Sequence, residues 1–317
     1  MTVTINLLIQ RNNILEKLGW IPIPAVQNVE WIYLMQEETR NSIMIEWYFA
    51  NKKELKEVIQ DKKDSKNSDA ILGYFDAATT LYKFWYQKYI NNEKIQLNHS
   101  DIKAIHSIVF QNTDSKNIWN YRSWDIHINK AKIQPPLGTK VPENMDYFLK
   151  FVNKLDFDEN NIISSLTKMH TLFESIHPFE DWNWRVGRIL LNYILLCHGY
   201  PNIIIKWSKF YKEKYFKWLE EAENWLYKYF PNKLPKDDWT IDWKFDVLEN
   251  IVFQNLIQNI DHIILSKYNH ENLIPVSKIV QQKWYTKDYG RQLVNRWKII
   301  AKKIWNEWYS TPELVLF

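Results

Sequence analysis

Two apolar stretches separated by a short charged segment constrain this chain more than any other feature. NIISSLTKMHTLFESI (161–176) and RVGRILLNYILLCHG (185–199) are apolar around most of their circumference and too long for strands. Each predicts a buried helix, the second ending at Gly199 in the position past the last turn that favours glycine. The connecting residues are therefore a loop held between two core helices.

The rest of the chain predicts more helix. NVEWIYLMQEETRNSIMIEWYF and AILGYFDAATTLYKFWYQKYI carry apolar residues at three- and four-residue spacing, and the lysine-rich DKKDSKNSD between them reads as a loop. SDIKAIHSIVFQ begins at a Ser or Asp cap near residue 100, and MDYFLKFVNKL is amphipathic. Between those two, NIWNYRSWDIHINKAKIQPPLGTKVPENM alternates at DIHI and turns at PPLG, which predicts a β-hairpin or extended flap. The fold class expected is mainly α. One cysteine, Cys197, excludes an internal disulfide framework and a Cys-rich zinc site. The opening MTVTINLLIQRNN lacks the basic and apolar regions of a secretory leader, and no run reaches eighteen apolar residues, so a cytoplasmic protein with no membrane span is expected. A net charge of +4 tolerates nucleic acid as a partner without arguing for it.

The loop and its exit read HPFEDWNWRVGR, 177–188. The start of a helix offers free N–H groups and a positive dipole end, a natural anion seat. Arg185 and Arg188, three apart, can face one anion with planar multi-donor groups. Asn183 can donate to a phosphate or sugar oxygen. Asp181 is the kind of oxygen ligand Mg²⁺ takes alongside water and phosphate. His177 can accept a proton from an attacking hydroxyl at neutral pH. Singly, each residue is more ordinary as a cap or a solvated charge. As an ordered set in one loop they describe phosphoryl or nucleotidyl transfer.

One count is abnormal. A glycine frequency of about 7% predicts roughly 22 glycines in a chain of this length, yet it holds 6 Gly and 17 Trp, which together match that number. HPFEDWNWRVGR resembles the loop H-P-F-x-D/E-G-N-G-R-x-x-R of Fic-domain proteins everywhere except Trp182 and Trp184, which stand in its glycine slots. NIWNYRSWDIHI is similar to the Fic segment G-x-Y-R-x-G-x-V-x-I, with Trp119 and Trp124 at its glycines. SIMIEW, 42–47, resembles the inhibitory motif S/T-x-x-x-E-G/N, with Trp47 in the last slot. VNRWKIIAKKIWNEWYSTPEL resembles excisionase-like helix-turn-helix modules, with Trp297 and Trp305 at glycines and Trp308 a true tryptophan. Seven tryptophans in the glycine slots of four unrelated motifs point to UGA codons that the source reads as glycine. The Lys, Asn and Ile richness fits an AT-rich genome. The alternative is a degenerate Fic protein acting as a DNA-binding or scaffolding module.

The resemblance implies an autoinhibited protein adenylyltransferase, a nucleotidyltransferase moving AMP from ATP to a hydroxyl of a target protein with Mg²⁺. It implies a helical Fic bundle with a β-hairpin flap and a small C-terminal winged-helix or helix-turn-helix-like domain. The expected segments are an N-terminal helical region with the inhibitory motif (1–95), a catalytic core (96–230), a helical connector (231–269) and the C-terminal module (270–317). His177 would be the general base and Asp181 the Mg²⁺ ligand. Phe179, Asn183, Arg185 and Arg188, with backbone N–H groups at Trp182 and Trp184, would hold the nucleotide, and Phe216 would stack on adenine. Glu46, with Ser42 at the matching spacing, would pair with Arg188 and hold ATP unproductively. The flap around Asp125 to Pro136 would clamp the target by strand pairing. Implied partners are a protein bearing a Ser, Thr or Tyr hydroxyl, the chain itself in self-modification, a second copy in a homodimer, and DNA through the C-terminal module.

Overall fold

The computed structural model describes residues 2–19, 29–44, 48–93, 96–110, 119–128, 133–206, 215, 217, 219–236 and 246–316. They form two compact units: Pro22–Val252 is one, and Met1–Ile21 with Phe253–Phe317 is the other. The boundaries differ from the four consecutive segments expected from the sequence. The first helix, α1 (Thr2–Lys17), belongs with the C-terminal residues because buried Arg11 forms a two-pronged ion pair with Asp261, Nε–Oδ1 2.6 Å and Nη2–Oδ2 3.2 Å. Leu7, Leu8 and Leu15 of the same helix are buried. Nothing in local periodicity reveals a partner 250 residues away.

The larger unit is a helical bundle of α2 (Val29–Ile43), α3 (Lys52–Ile59), α4 (Ser68–Ile90), α5 (His99–Phe110), α6 (Val141–Val152), α7 (Ile162–Ile176) and α8 (Asn183–Cys197). Helices α7 and α8 pack on each other, α4 and α5 pack on α8, and α6 covers α7. Burying the apolar circumference of α8 this way contributes roughly 1.5–3 kcal/mol per large side chain, and its residues from Val186 to Cys197 are all buried. Gly199 follows the helix with φ +80, the left-handed backbone expected there.

The expected β-hairpin flap shows no strand in its described residues, 119–128 and 133–137; residues 129–132 lie outside the described set. The flap is instead anchored at its base. The Gly138 N–H donates to Asp125 Oδ1 at 2.7 Å, and a Cβ on Gly138 would lie within 2.5 Å of Ser123 and Trp124 backbone atoms, so only glycine allows this approach.

The smaller unit contains α9 (Asp246–Ser266) from Phe253 onward, then β1 (Ile274–Pro275), α10 (Val276–Gln281), α11 (Lys287–Asn295), β2 (Lys302–Ile304) and β3 (Glu307–Ser310). The strands form an antiparallel sheet in the order β1-β3-β2. Val276, Val280, Leu293, Val294 and Ile299 make its core, with Tyr289 and Trp308 packed against it.

Candidate active site

The loop between α7 and α8 starts and ends on left-handed residues. His177 caps α7 at φ 50, ψ 63, and Trp182 precedes α8 at φ 63, ψ 20. Each such conformation costs a non-glycine residue about 1–3 kcal/mol and persists only where its surroundings over-determine it. The surroundings do so here. Asn183, fully buried, accepts the Phe179 N–H at 2.8 Å and donates back to the Phe179 carbonyl at 2.9 Å. The Phe179 ring is also fully buried, stacked on His106 at 3.8 Å between centroids.

Two residues expected to contact the nucleotide thus have partners within the protein. Asn183 directs its amide into the loop, and the Phe179 ring is wedged into the core. One reason covers both: a loop this tight must satisfy its backbone from within, and these side chains are the nearest donors, acceptors and apolar volume. The Trp182 N–H, one of the two amides expected to cradle phosphate, is likewise taken by Asp181 Oδ1 at 2.7 Å.

Arg122 completes the loop's support, and the sequence reading did not single it out. Its buried guanidinium donates to the carbonyls of His177 (2.8 Å), Trp124 (2.9 Å), Pro136 (2.7 Å) and Ile176 (3.2 Å). Its own N–H donates to the Pro178 carbonyl at 2.9 Å. One side chain thus ties the flap to the start of the loop, and burial lowers its pKa to about 10. The Tyr-Arg pair inside NIWNYRSWDIHI was the available signal. We expect Arg122→Ala to destabilise the protein by about 3–5 kcal/mol, as removal of a buried charged partner does, and Arg122→Lys to recover only part of that because a single ammonium cannot span four carbonyls. A thermal melt in which Arg122→Ala matches the parent would refute this role.

His177 is half-buried with Nδ1 enclosed. Burial, then the charge of Arg122, pull its pKa down to about 4, against the Glu174 backbone, which favours the charged ring. The imidazole is therefore a neutral base at physiological pH. Asp181 is exposed at the lip of the loop. Among the described residues no three His, Cys, Asp or Glu side chains converge as a metal cage. A single exposed carboxylate still fits Mg²⁺, which usually keeps several waters and borrows phosphate oxygens.

Arg185 and Arg188 are both buried at the start of α8. Arg188 Nη1 donates to the Ile205 carbonyl at 3.2 Å and to Ser42 Oγ, from the last turn of α2, at 3.4 Å. Desolvation lowers the Arg188 pKa. The structure thus brings Ser42 and Arg188 together across 146 residues; Glu46 and Trp47 lie outside the described residues, as does Phe216. Tyr215, next to Phe216, places its ring 5.9 Å from the Arg188 guanidinium and 5.6 Å from the Trp184 ring, and its hydroxyl lies 2.6 Å from His170 Nε2.

The Trp182 indole occupies the centre of this arrangement. It is buried, stacked on Phe110 at 4.0 Å, and covers the Arg185 guanidinium at 3.9 Å, with the Tyr48 ring 5.1 Å from the same group. Among the described residues, seven non-glycine positions have left-handed φ, and four are tryptophan: Trp182, Trp284 (62°), Trp297 (59°) and Trp305 (54°). For so bulky a residue that conformation is a true outlier. Three of the four fill glycine slots recognised in the sequence. Trp284 belongs to none of those motifs, and only its backbone marks it.

A neutral imidazole, an exposed carboxylate and two buried arginines thus lie in and beside the loop that leads into α8, in a mainly helical protein. Residues 96–195 match the Fic/DOC family, so the chain carries a Fic domain. It is 29% identical over 301 residues to a protein of Aquifex aeolicus named a probable protein adenylyltransferase, covering 87% of this chain and 84% of that one. It is 28% identical over 141 residues to the protein adenylyltransferase Fic of Nematostella vectensis, covering 43% of this chain but only 32% of that protein. Among solved structures, a Fic domain containing signaling protein from Bacteroides thetaiotaomicron superposes with TM-score 0.66 at 18% identity, over 82% of this chain and 96% of the other. Fic-1 from C. elegans gives TM-score 0.60 at 15% identity, over 84% and 73%. At those identities the structural likeness establishes the fold alone. No helix among the described residues is long and apolar enough to cross a membrane.

Proposed function

We propose that this chain is a cytoplasmic, Mg²⁺-dependent protein adenylyltransferase held in check by its own α2 segment. The observation that carries the reading is the loop itself, which gathers His177, Asp181, Arg185 and Arg188 at the start of α8. The names of the Aquifex and Nematostella relatives support AMP as the transferred group. The target's hydroxyl oxygen attacks the α-phosphorus of ATP, the bond to the β-phosphate breaks, and pyrophosphate leaves. The hydroxyl proton passes to the neutral His177 imidazole. Arg185 and Arg188 neutralise the β- and γ-phosphates. Asp181 would hold Mg²⁺, which offsets phosphate charge when bound. Beside the loop an open groove of about 630 Å³, lined by His99, Lys103, Tyr121, Trp124, Asp146 and Glu180, offers room for the acceptor protein. With glycine at 182 and 184, ATP labelled at the α-phosphate should label protein in a Mg²⁺-dependent way, while ATP labelled at the γ-phosphate should not; transfer of the γ label would make the protein a kinase instead.

The contact of Ser42 with Arg188 supports inhibition. A carboxylate at Glu46, four residues after Ser42 in the sequence, would compete with the γ-phosphate for Arg188, so activity would track the population in which α2 has moved aside. Glu46→Gly in the glycine-restored protein should raise self-labelling about ten- to a hundredfold, the effect of roughly 1.4–2.8 kcal/mol of released coupling. Glu46→Gly with Arg188→Ala should stay inactive. A single variant no faster than its parent removes the inhibitory role.

A second reading, a Fic protein without catalysis that serves as a scaffold, is favoured by one observation: the Trp182 indole lying on Arg185. The gene decides between them. UGA at codons 182 and 184 supports the enzyme, and UGG supports the scaffold.

A further inference from the structure

Helix α2 carries a carboxylate on its buried side. Glu38 is 2% exposed and stands one turn before Ser42 in the same helix. Two hydroxyls of α4 donate to its Oε1, Tyr74 at 2.7 Å and Tyr82 at 2.6 Å, and the Asn202 amide donates to its Oε2. All three donors are neutral, because burial and the Glu38 charge raise both tyrosine pKa values and keep the hydroxyls protonated. Arg188 senses the Glu38 charge, yet its printed hydrogen bonds run to Ser42 and the Ile205 carbonyl. Asn192, one turn beyond Arg188 on α8, closes on the same segment: its amide donates to the Ile203 carbonyl at 3.1 Å, and its oxygen accepts the Ile203 N–H at 2.7 Å. Glu38 thus ties α2 both to α4 and to the stretch 202–205, whose last carbonyl holds Arg188. A cavity of about 10 Å³ lies between Glu38, Ser42, Arg188, Asn192, Ile203 and Ile205. It has room for one water at most, so bulk solvent does not reach the carboxylate.

We propose that Glu38 is a positioning residue, the latch that seats α2 over Arg188. Helix α2 leaves the arginine only by breaking three hydrogen bonds to Glu38 and carrying its carboxylate into water. The bonds hold the latch, and the buried charge loosens it. Burial raises the Glu38 pKa, against the hydrogen bonds of Tyr82, Tyr74, Asn192 and Asn202, and a buried carboxylate without a cation partner is costly. A neutral amide in its place keeps the contacts without the charge, because the tyrosine hydroxyls still donate to its oxygen and Asn202 can turn its amide to accept from its nitrogen. The consequence for activity rests on the proposed inhibition by α2; the latch itself does not.

The test follows hydrogen exchange of the α2 amides in the full, glycine-restored chain, with the α8 amides of the same molecule as reference, alongside self-labelling. Glu38→Gln should slow α2 exchange relative to α8 by about tenfold and lower labelling to match. Tyr74→Phe combined with Tyr82→Phe, which strips two donors from the charged carboxylate, should speed α2 exchange and raise labelling by about tenfold. A merely structural role would move both variants in the same direction, with α8 exchange following α2. That result, or α2 exchange unchanged in Glu38→Gln, overturns the proposal; the second criterion stands even if the tyrosine double variant does not fold. Labelling that ignores a tenfold change in α2 exchange would leave the latch in place and remove inhibition by α2. Activation by Glu46→Gly with α2 exchange unmoved by Glu38→Gln would do the reverse.

Discussion

Replacing Trp182 and Trp184 with glycine should raise ATP affinity by at least about a hundredfold, equivalent to roughly 2.7 kcal/mol. Two effects add. The Trp182 indole lies 3.9 Å from the Arg185 guanidinium and fills the space in front of it, so an incoming phosphate would have to displace an aromatic ring already stacked on Phe110. Its backbone is also left-handed at φ 63, a conformation glycine adopts without the cost of about 1–3 kcal/mol borne by a side chain. Glycine at 182 therefore both clears the seat and relaxes the loop, and the Trp182 N–H now held by Asp181 can reorient toward an anion. Calorimetry on the two forms measures the difference. One-to-one micromolar ATP binding by the tryptophan form would defeat the steric argument, whatever the gene encodes.

The second large effect is loss of the base. In the glycine-restored protein, His177→Ala should lower AMP transfer by about 10²–10⁴-fold, the usual worth of a positioned general base, with ATP affinity within a few-fold of the parent. Labelling that survives the substitution removes His177 from the mechanism. The pH dependence carries a second signature. Because burial and Arg122 hold the His177 pKa near 4, below the ordinary histidine value of 6.5, the ring keeps no proton at neutral pH and the acid limb of the rate should lie closer to 4 than to 6.5. The same depression makes a stability statement. A neutral buried imidazole contributes stability that is fully present above about 6.5 and is lost as the pH falls through the folded-state value. His170, pulled to about 3 chiefly by burial and then by the charge of Arg188, acts in the same direction. Thermal midpoints should fall between pH 6.5 and 4, and His170→Gln should flatten part of that slope.

Much of this was legible without coordinates, for identifiable reasons. The α7–α8 hairpin follows from local periodicity, because helices apolar on nearly every side have nowhere to go but the core. The loop chemistry follows from residue types within a dozen positions. The tryptophans in glycine slots were visible because four motifs supply four independent templates. Tertiary structure alone decided what depends on distant partners. Only the folded loop showed the Asn183 amide closing on Phe179, and Arg122 looked like one motif letter until four carbonyls from three segments converged on it. The pairing of α1 with α9 through Arg11 and Asp261, and of Ser42 with Arg188, likewise spans more than a hundred residues. Trp284 marks the boundary between the two kinds of knowledge. Side-chain identity cannot report the sign of a φ angle, and only the backbone, bent left-handed at 62°, marked a tryptophan in a conformation that favours glycine.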